Sequence, residues 1–106
     1  MIDFSFIEGK CAVHCPTIDK AIDFYTEFNI KFPDKTKCWE GVKEVKRVFG
    51  YKEDKFAFGC TDMLRYASVD YYIENSYRVF TYDEIINMDV LYEDVSELDF
   101  MSVIGG

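Results

Sequence analysis

Gly9–Asn29, GKCAVHCPTIDKAIDFYTEFN, is where the chain passes from a period of two to a period between three and four. Cys11, Val13 and Cys15 alternate with Ala12 and His14, which places the two sets on opposite faces of a strand. Pro16 stops the ladder because it has no N–H to donate and holds its predecessor extended. Thr17 suits a helix N-cap, with Asp19 set against the positive end of the helix dipole. Ile18, Ala21, Ile22, Tyr25 and Phe28 then form an apolar stripe, opposed by Asp19, Asp23, Thr26 and Glu27, and Asn29 suits a left-handed residue past the helix end. The stretch predicts a strand followed by a covering helix over about residues 17–28.

Around this anchor, 106 residues that are 49% hydrophobic and 18% aromatic supply one domain, residues 1–106, with a core of its own. No apolar run reaches the ~20 residues of a membrane span, and MIDFSFIEGK lacks the basic and apolar parts of a secretory leader, so a cytoplasmic protein is expected. Four cysteines in that compartment are expected as free thiols. A net charge of −8 opposes direct contact with nucleic acid or anionic lipid and favours a partner with a basic surface. The charge is uneven: residues 35–55 hold seven Lys or Arg against four acids, and residues 56–106 hold two Arg against ten acids. Between Asp83 and Asp99 lie seven acids and no base, and residues 88–106 read as an acidic C-terminal extension.

Past the anchor, Ile30–Phe32 reads as a short strand, Pro33-Asp34 as a turn and Cys38-Trp39 as the start of an extended segment. Val42, Val45, Val48 and Phe49 predict a helix over residues 40–49 that Gly50 ends. Phe56–Cys60 and Leu64–Ala67 read as a hairpin about Thr61-Asp62. Ser68 caps a turn of helix over Val69–Glu74, and Tyr77–Thr81 supplies a further strand. In the tail, Met88, Leu91, Val95 and Leu98 fit a helical stripe, while residues 90–92 and 100–104 also fit strands. The fold class is α+β: a small antiparallel sheet of four to five strands, one main helix and short helices.

The runs GKCAVHCPTIDKAIDFY, CWEG and LRYASVDYYIENSYRVFTYDEI resemble small uncharacterised proteins encoded by phages, prophages and mobile elements of low-GC Gram-positive bacteria. Lys10, Ala12, Val13, Cys15 and Thr17 match their first strand and cap, Ala21 and Phe24 the helix, Trp39 and Gly41 the middle, and Tyr72, Tyr77 and Val79 the closing segment. The resemblance spans roughly residues 8–86 and rests on structural motifs; the acidic tail from Asp89 departs from it.

Catalytic chemistry finds little support. His14 is the sole histidine, and its strand neighbour Cys15 points to the other face, so the two cannot act as nucleophile and base together. On a strand Cys11 and Cys15 stand about 13 Å apart, whereas two sulfurs on one zinc lie within ~4 Å. The chain has no C-x-x-C, phosphate loop, H-x-x-x-H or calcium-loop order. No enzyme activity, metal or cofactor is expected. Lys43, Lys46, Arg47, Lys52 and Lys55 alternate with Phe49, Tyr51 and Phe56 as in a nucleic-acid stacking groove, but Glu40, Glu44, Glu53 and Asp54 interrupt them.

Tyr66, Tyr71, Tyr72, Tyr77, Tyr82 and Tyr92 crowd the acidic half, and tyrosine, with an apolar face and a polar tip, suits protein interfaces. The expected partner surface is Asp83, Glu84, Asp89, Glu93, Asp94, Glu97 and Asp99 with Tyr72, Tyr82 and Tyr92. The expected function is a non-enzymatic, protein-binding, anti-defence module that inhibits a host nuclease or anti-phage complex by steric block or phosphate mimicry. Two alternatives stand beside it: a small-molecule or nucleotide-binding accessory protein with a pocket between the sheet and the helix at Ile18–Phe28, and a homo-oligomeric module held by the apolar positions of the tail.

Overall fold

The Thr17 hydroxyl accepts from the Lys20 backbone N–H at 3.3 Å, and from this cap the main helix runs without a break. The computed structural model describes residues 2–86. Strand β1 is Cys11–His14, α1 is Ile18–Lys31, α2 is Val42–Lys52, β2 is Phe56–Gly59, β3 is Arg65–Ser68, α3 is Val69–Glu74 and β4 is Arg78–Thr81. Short 3-10 turns lie at Phe4–Phe6, Pro33–Lys35 and Glu53–Lys55, and residues 82–86 are helical. The α+β class holds, as do the hairpin of β2 and β3 and the Ser68 start of α3.

The sheet order is β3-β2-β1-β4. The pairs β1 with β2 and β2 with β3 are antiparallel, whereas β4 lies parallel to β1 in the register Cys11↔Arg78 to His14↔Thr81. The sheet is therefore mixed, where a wholly antiparallel one was expected. The reason is α3. It separates two strands that run the same way at opposite edges, and a parallel return needs a crossover where a hairpin would reverse the chain.

Three further expectations are corrected. Ile30–Phe32 is not a strand: α1 continues through Lys31 until Phe32, which its successor Pro33 keeps out of helical geometry. Asn29 consequently lies inside the helix, where its side-chain carbonyl accepts from the buried Thr36 hydroxyl. Cys38-Trp39 does not begin a strand either, because Trp39 plugs the core: its indole N–H donates to the Leu64 carbonyl at 2.8 Å and its ring packs on Tyr25, Phe58 and Tyr66. Finally, α2 starts after Gly41, whose φ of 81° favours glycine, and passes through Gly50 to Lys52. A helical glycine costs only about 1 kcal/mol, which the packing of Val45 and Val48 outweighs.

Two unequal cores flank the sheet. Cys11, Val13, Phe56, Phe58 and Phe80 face α1 and α2 and join Phe24, Phe28, Val45 and Val48 in the larger one. Phe24, outside the predicted stripe, is fully buried and stacks on Phe58 with centroids 5.2 Å apart. On the other face Ala12, Ala57 and Tyr72 form a thin core beneath α3.

Phe58→Ala is expected to cost about 3–5 kcal/mol in urea denaturation, the usual loss for a buried aromatic. Ile30, 75% exposed on the last turn of α1, is expected to change stability by less than about 0.5 kcal/mol on truncation to Ala. A large loss there would mark residue 30 as a buried strand position.

Candidate functional site: a tyrosine-lined cleft beneath α3

Small side chains make the floor of the site. Ala57 pairs with Ala67 and Gly59 with Arg65 across β2 and β3, and Ala12 pairs with Gly59 from β1, so these positions share the face beneath α3. Gly59 has a specific need. A Cβ built there would stand 2.5 Å from the Tyr72 hydroxyl oxygen and 2.9 Å from two of its ring carbons. The phenol end of Tyr72 thus rests directly on the backbone of β2.

Helix α3 brings the other aromatic walls. Asn75 closes it by donating from its backbone N–H to the Tyr71 carbonyl at 3.1 Å and from its side-chain amide to the same oxygen at 2.7 Å. Ser76 then takes a left-handed φ of 64°. This reversal lets the Tyr77 N–H reach the Tyr72 carbonyl at 2.9 Å. The rings follow the backbone: Tyr71 meets Tyr72 edge-on at 5.3 Å, and Tyr77 tilts against Tyr72 at 4.8 Å. Lys10 reaches over the outer side, its Nζ 5.6 Å from the Tyr77 ring centre.

Between these rings and the β2–β3 connection lies a cleft of about 460 Å3, lined by Gly59 and Ala67 below, Thr61, Asp62 and Met63 on the connection, Arg65 and Tyr66 on β3, and Tyr71, Tyr72 and Tyr77. Tyr72 is only 3% exposed, and its hydroxyl makes no hydrogen bond among the described residues. Every fully enclosed side-chain polar atom among them has a partner, so this hydroxyl meets solvent from the cleft. Burial, first of all, pushes its pKa up, helped by the neighbouring Cys60, Tyr77 and Tyr71 and opposed by Arg65. At neutral pH it is a protonated phenol that can donate and accept.

Arg65 also stands apart from the other two arginines. Arg47 pairs with Glu44 at 3.1 Å, and the Arg78 guanidinium lies over the Phe80 ring at 5.1 Å. Among the described residues Arg65 has neither an acid partner nor a ring beneath it, although Asp62 lines the same cleft. A shallower recess of about 260 Å3, lined by Cys38, Trp39, Glu44, Leu64, Arg65 and Tyr66, adjoins it.

Of the residues predicted to contact a partner, Tyr72, Tyr82, Asp83 and Glu84 are among those described. Asp83 is 64% exposed and pairs with Lys20 at 2.9 Å. Glu84 lies in the first turn of residues 82–86, which Thr81 caps: the Thr81 hydroxyl accepts from the Glu84 N–H at 3.0 Å and donates to the Glu84 carboxylate at 3.3 Å. Tyr82 is buried in the larger core, 8% exposed, and its hydroxyl donates to the Asp23 carboxylate. Burial, then that hydrogen bond, raises its pKa. Tyr72 belongs to the thin core, so the structure does not bring these two tyrosines together. Asp89, Tyr92, Glu93, Asp94, Glu97 and Asp99 lie outside the described residues, as do the expected helical stripe and strands of the tail.

The pocket expected between the sheet and α1 is filled by Phe24, Phe28 and Phe58, all without exposed surface. His14 donates a ring N–H to the Asp54 carbonyl. Cys11, Cys15 and Cys60 are buried thiols whose pKa values rise chiefly through loss of hydration, and Cys38 is exposed. Among the described residues no group of His, Cys, Asp and Glu is arranged to hold a metal, and no helix is long and apolar enough to cross a membrane. Phe49 and Phe56 pack against each other at 5.5 Å and Phe56 is fully buried, so the basic stretch of α2 presents no row of free aromatic rings.

The cleft escaped sequence reasoning because its signal is a lack of bulk. Ala12, Ala57, Gly59 and Ala67 mark one face only once the strands are registered against each other. Comparison with protein-family models, with curated proteins and with solved structures returned no match.

Gly59→Ala is expected to destabilise the fold by about 1–3 kcal/mol, as overpacking does. Gly50→Ala, where a Cβ meets nothing within 4 Å, is expected to stabilise it by about 0.5–1 kcal/mol. Adding Tyr72→Leu to Gly59→Ala removes the overlap, so chemical denaturation of the double variant is expected to show losses smaller than the sum of the singles.

Proposed function

We propose that this chain is a non-enzymatic binding module that takes a small organic ligand in the cleft beneath α3. The observation that carries the reading is the Tyr72 hydroxyl, which the fold presses onto Gly59, strips of protein partners and leaves open to a cleft of about 460 Å3. That volume falls within the ~300–1,000 Å3 of ordinary ligand sites. Support also comes from the mounting, since two sides of the cleft belong to the β2–β3 ladder and to α3, and sites held on such elements need little reordering on binding.

The reading is tested by amide NMR of the full chain against a panel of aromatic and polar fragments. Shifts are expected to cluster at Thr61–Ala67 and Tyr71–Tyr77 and to weaken in Tyr71→Ala, whose side chain is 51% exposed and thus dispensable for folding. Shifts that cluster on α1 and α2, or none across the panel, would overturn it.

A second reading, contact with a basic host protein such as a nuclease or defence complex, keeps the support of charge: residues 56–106 carry ten acids and two arginines, and Asp70, Asp83 and Glu84 are exposed. Under it, deletion of residues 88–106 is expected to abolish recovery of one identifiable partner from host lysate, and equal recovery would remove the tail as the contact.

A further inference from the structure

The cleft is specific about charge as well as shape. Its cation is Arg65, a residue of the edge strand β3 whose register partner is Gly59, so the guanidinium rises from the same face on which the Tyr72 phenol rests. The other two arginines of the chain have found partners, Glu44 for Arg47 and the Phe80 ring for Arg78. Arg65 has none among the described residues, in a protein that carries 20 acids against 12 bases. Such a surplus of carboxylates makes an unpaired arginine beside a cleft an expressive feature. Lys10 lies over the Tyr77 ring but does not line the cleft, so Arg65 is the cation of its lining.

We propose that the ligand of this cleft is a planar aromatic anion, its ring held against Tyr71, Tyr72 and Tyr77 and its carboxylate or phosphate taken by Arg65. This rests on the cleft being a ligand site and adds the chemical class of the ligand. The guanidinium fork offers two parallel N–H donors to such a group. Two tyrosine rings already meet at 4.8 and 5.3 Å from Tyr72, which is the spacing at which a further ring continues an aromatic cluster. The Tyr72 hydroxyl, protonated and without a protein partner, supplies one more donor beside Arg65. Asp62 lines the same cleft and disfavours a second negative charge on the ligand.

Four probes that share one phenyl ring separate the alternatives: benzoate, phenyl phosphate, benzyl alcohol and benzylamine, each titrated into the full chain with amide shifts as the readout. Benzoate or phenyl phosphate is expected to bind at least about 10-fold more tightly than benzyl alcohol, and the order of those two anions tells a carboxylate ligand from a phosphate one. Arg65→Gln, a substitution on an exposed edge position, is expected to weaken the anions by about 10- to 100-fold, the usual worth of a charge-assisted pair, and to leave benzyl alcohol unchanged. Asp62→Asn is expected to tighten the anions by about 2- to 5-fold through lost repulsion. Equal binding of benzyl alcohol and benzoate at the cleft, or preference for benzylamine, would overturn the anionic ligand while the cleft stands as a binding site. Absence of cleft shifts with all four probes would overturn both.

Discussion

Strand β1 is covered on both faces and on both edges, and the rest of the molecule follows from that constraint. Cys11, Ala12 and Val13 have no exposed surface, with β2 on one edge and β4 on the other. A four-residue strand so enclosed must satisfy two cores at once. Toward α1 and α2 it presents Cys11 and Val13, which join Phe24, Phe28 and Phe58; on the other face only Ala12 enters the thin core, His14 being turned to the Asp54 carbonyl. The thin side has room for one large ring, and Tyr72 fills it by lying against Gly59. Interiors packed like organic crystals tolerate little change of volume, so the Gly59 hydrogen and the Tyr72 ring are a single design choice.

What the sequence discloses depends on how local the cause is. The ladder that Pro16 stops and the helix that Thr17 caps are set by neighbours in the chain, and they are found where the residues put them. The end of α1 is set by Pro33 acting on Phe32, also a local effect, but the preceding Asn29 gives a competing stop signal. Packing decides between them, because Thr36 takes up the Asn29 side chain and leaves nothing for a left-handed turn to gain. The direction of β4 is a non-local matter. Its own residues, Arg78–Thr81, suit either orientation, and only the position of α3 across the sheet makes the pairing with β1 parallel.

The tyrosines show the limit of composition as a guide to surfaces. Six of them in the acidic half look like an interface because tyrosine combines area with a polar tip. The same combination suits a small domain that must bury rings without stranding hydroxyls. Tyr82 solves this with the exposed Asp23 carboxylate, at the rim of the larger core. Tyr72 solves it differently, by opening its hydroxyl to the cleft. Arg65 and Ala67 gain their meaning only beside it, and neither carries a mark in the linear sequence that sets it apart from an ordinary strand residue.

The two faces also divide the protein's electrostatics. Carboxylates near the larger core are engaged: Asp23 with Tyr82, Asp83 with Lys20, Glu44 with Arg47, and Glu27 with the Ile2 N–H at 2.7 Å. Two of them, Asp23 with Tyr82 and Asp83 with Lys20, tie α1 to residues 82–86. Beneath α3 the polar groups are left over, since Arg65 and Asp62 line one space without pairing and the Tyr72 hydroxyl adds a third unmatched group. Surface ion pairs contribute little to stability, so a fold could leave them unmade at small cost. The Tyr72 hydroxyl is no exception, because it opens to the cleft and keeps its contact with water although the rest of the side chain is buried. A polar group of a ligand in the cleft would take the place of that water, on the face of the sheet whose core is the thinner.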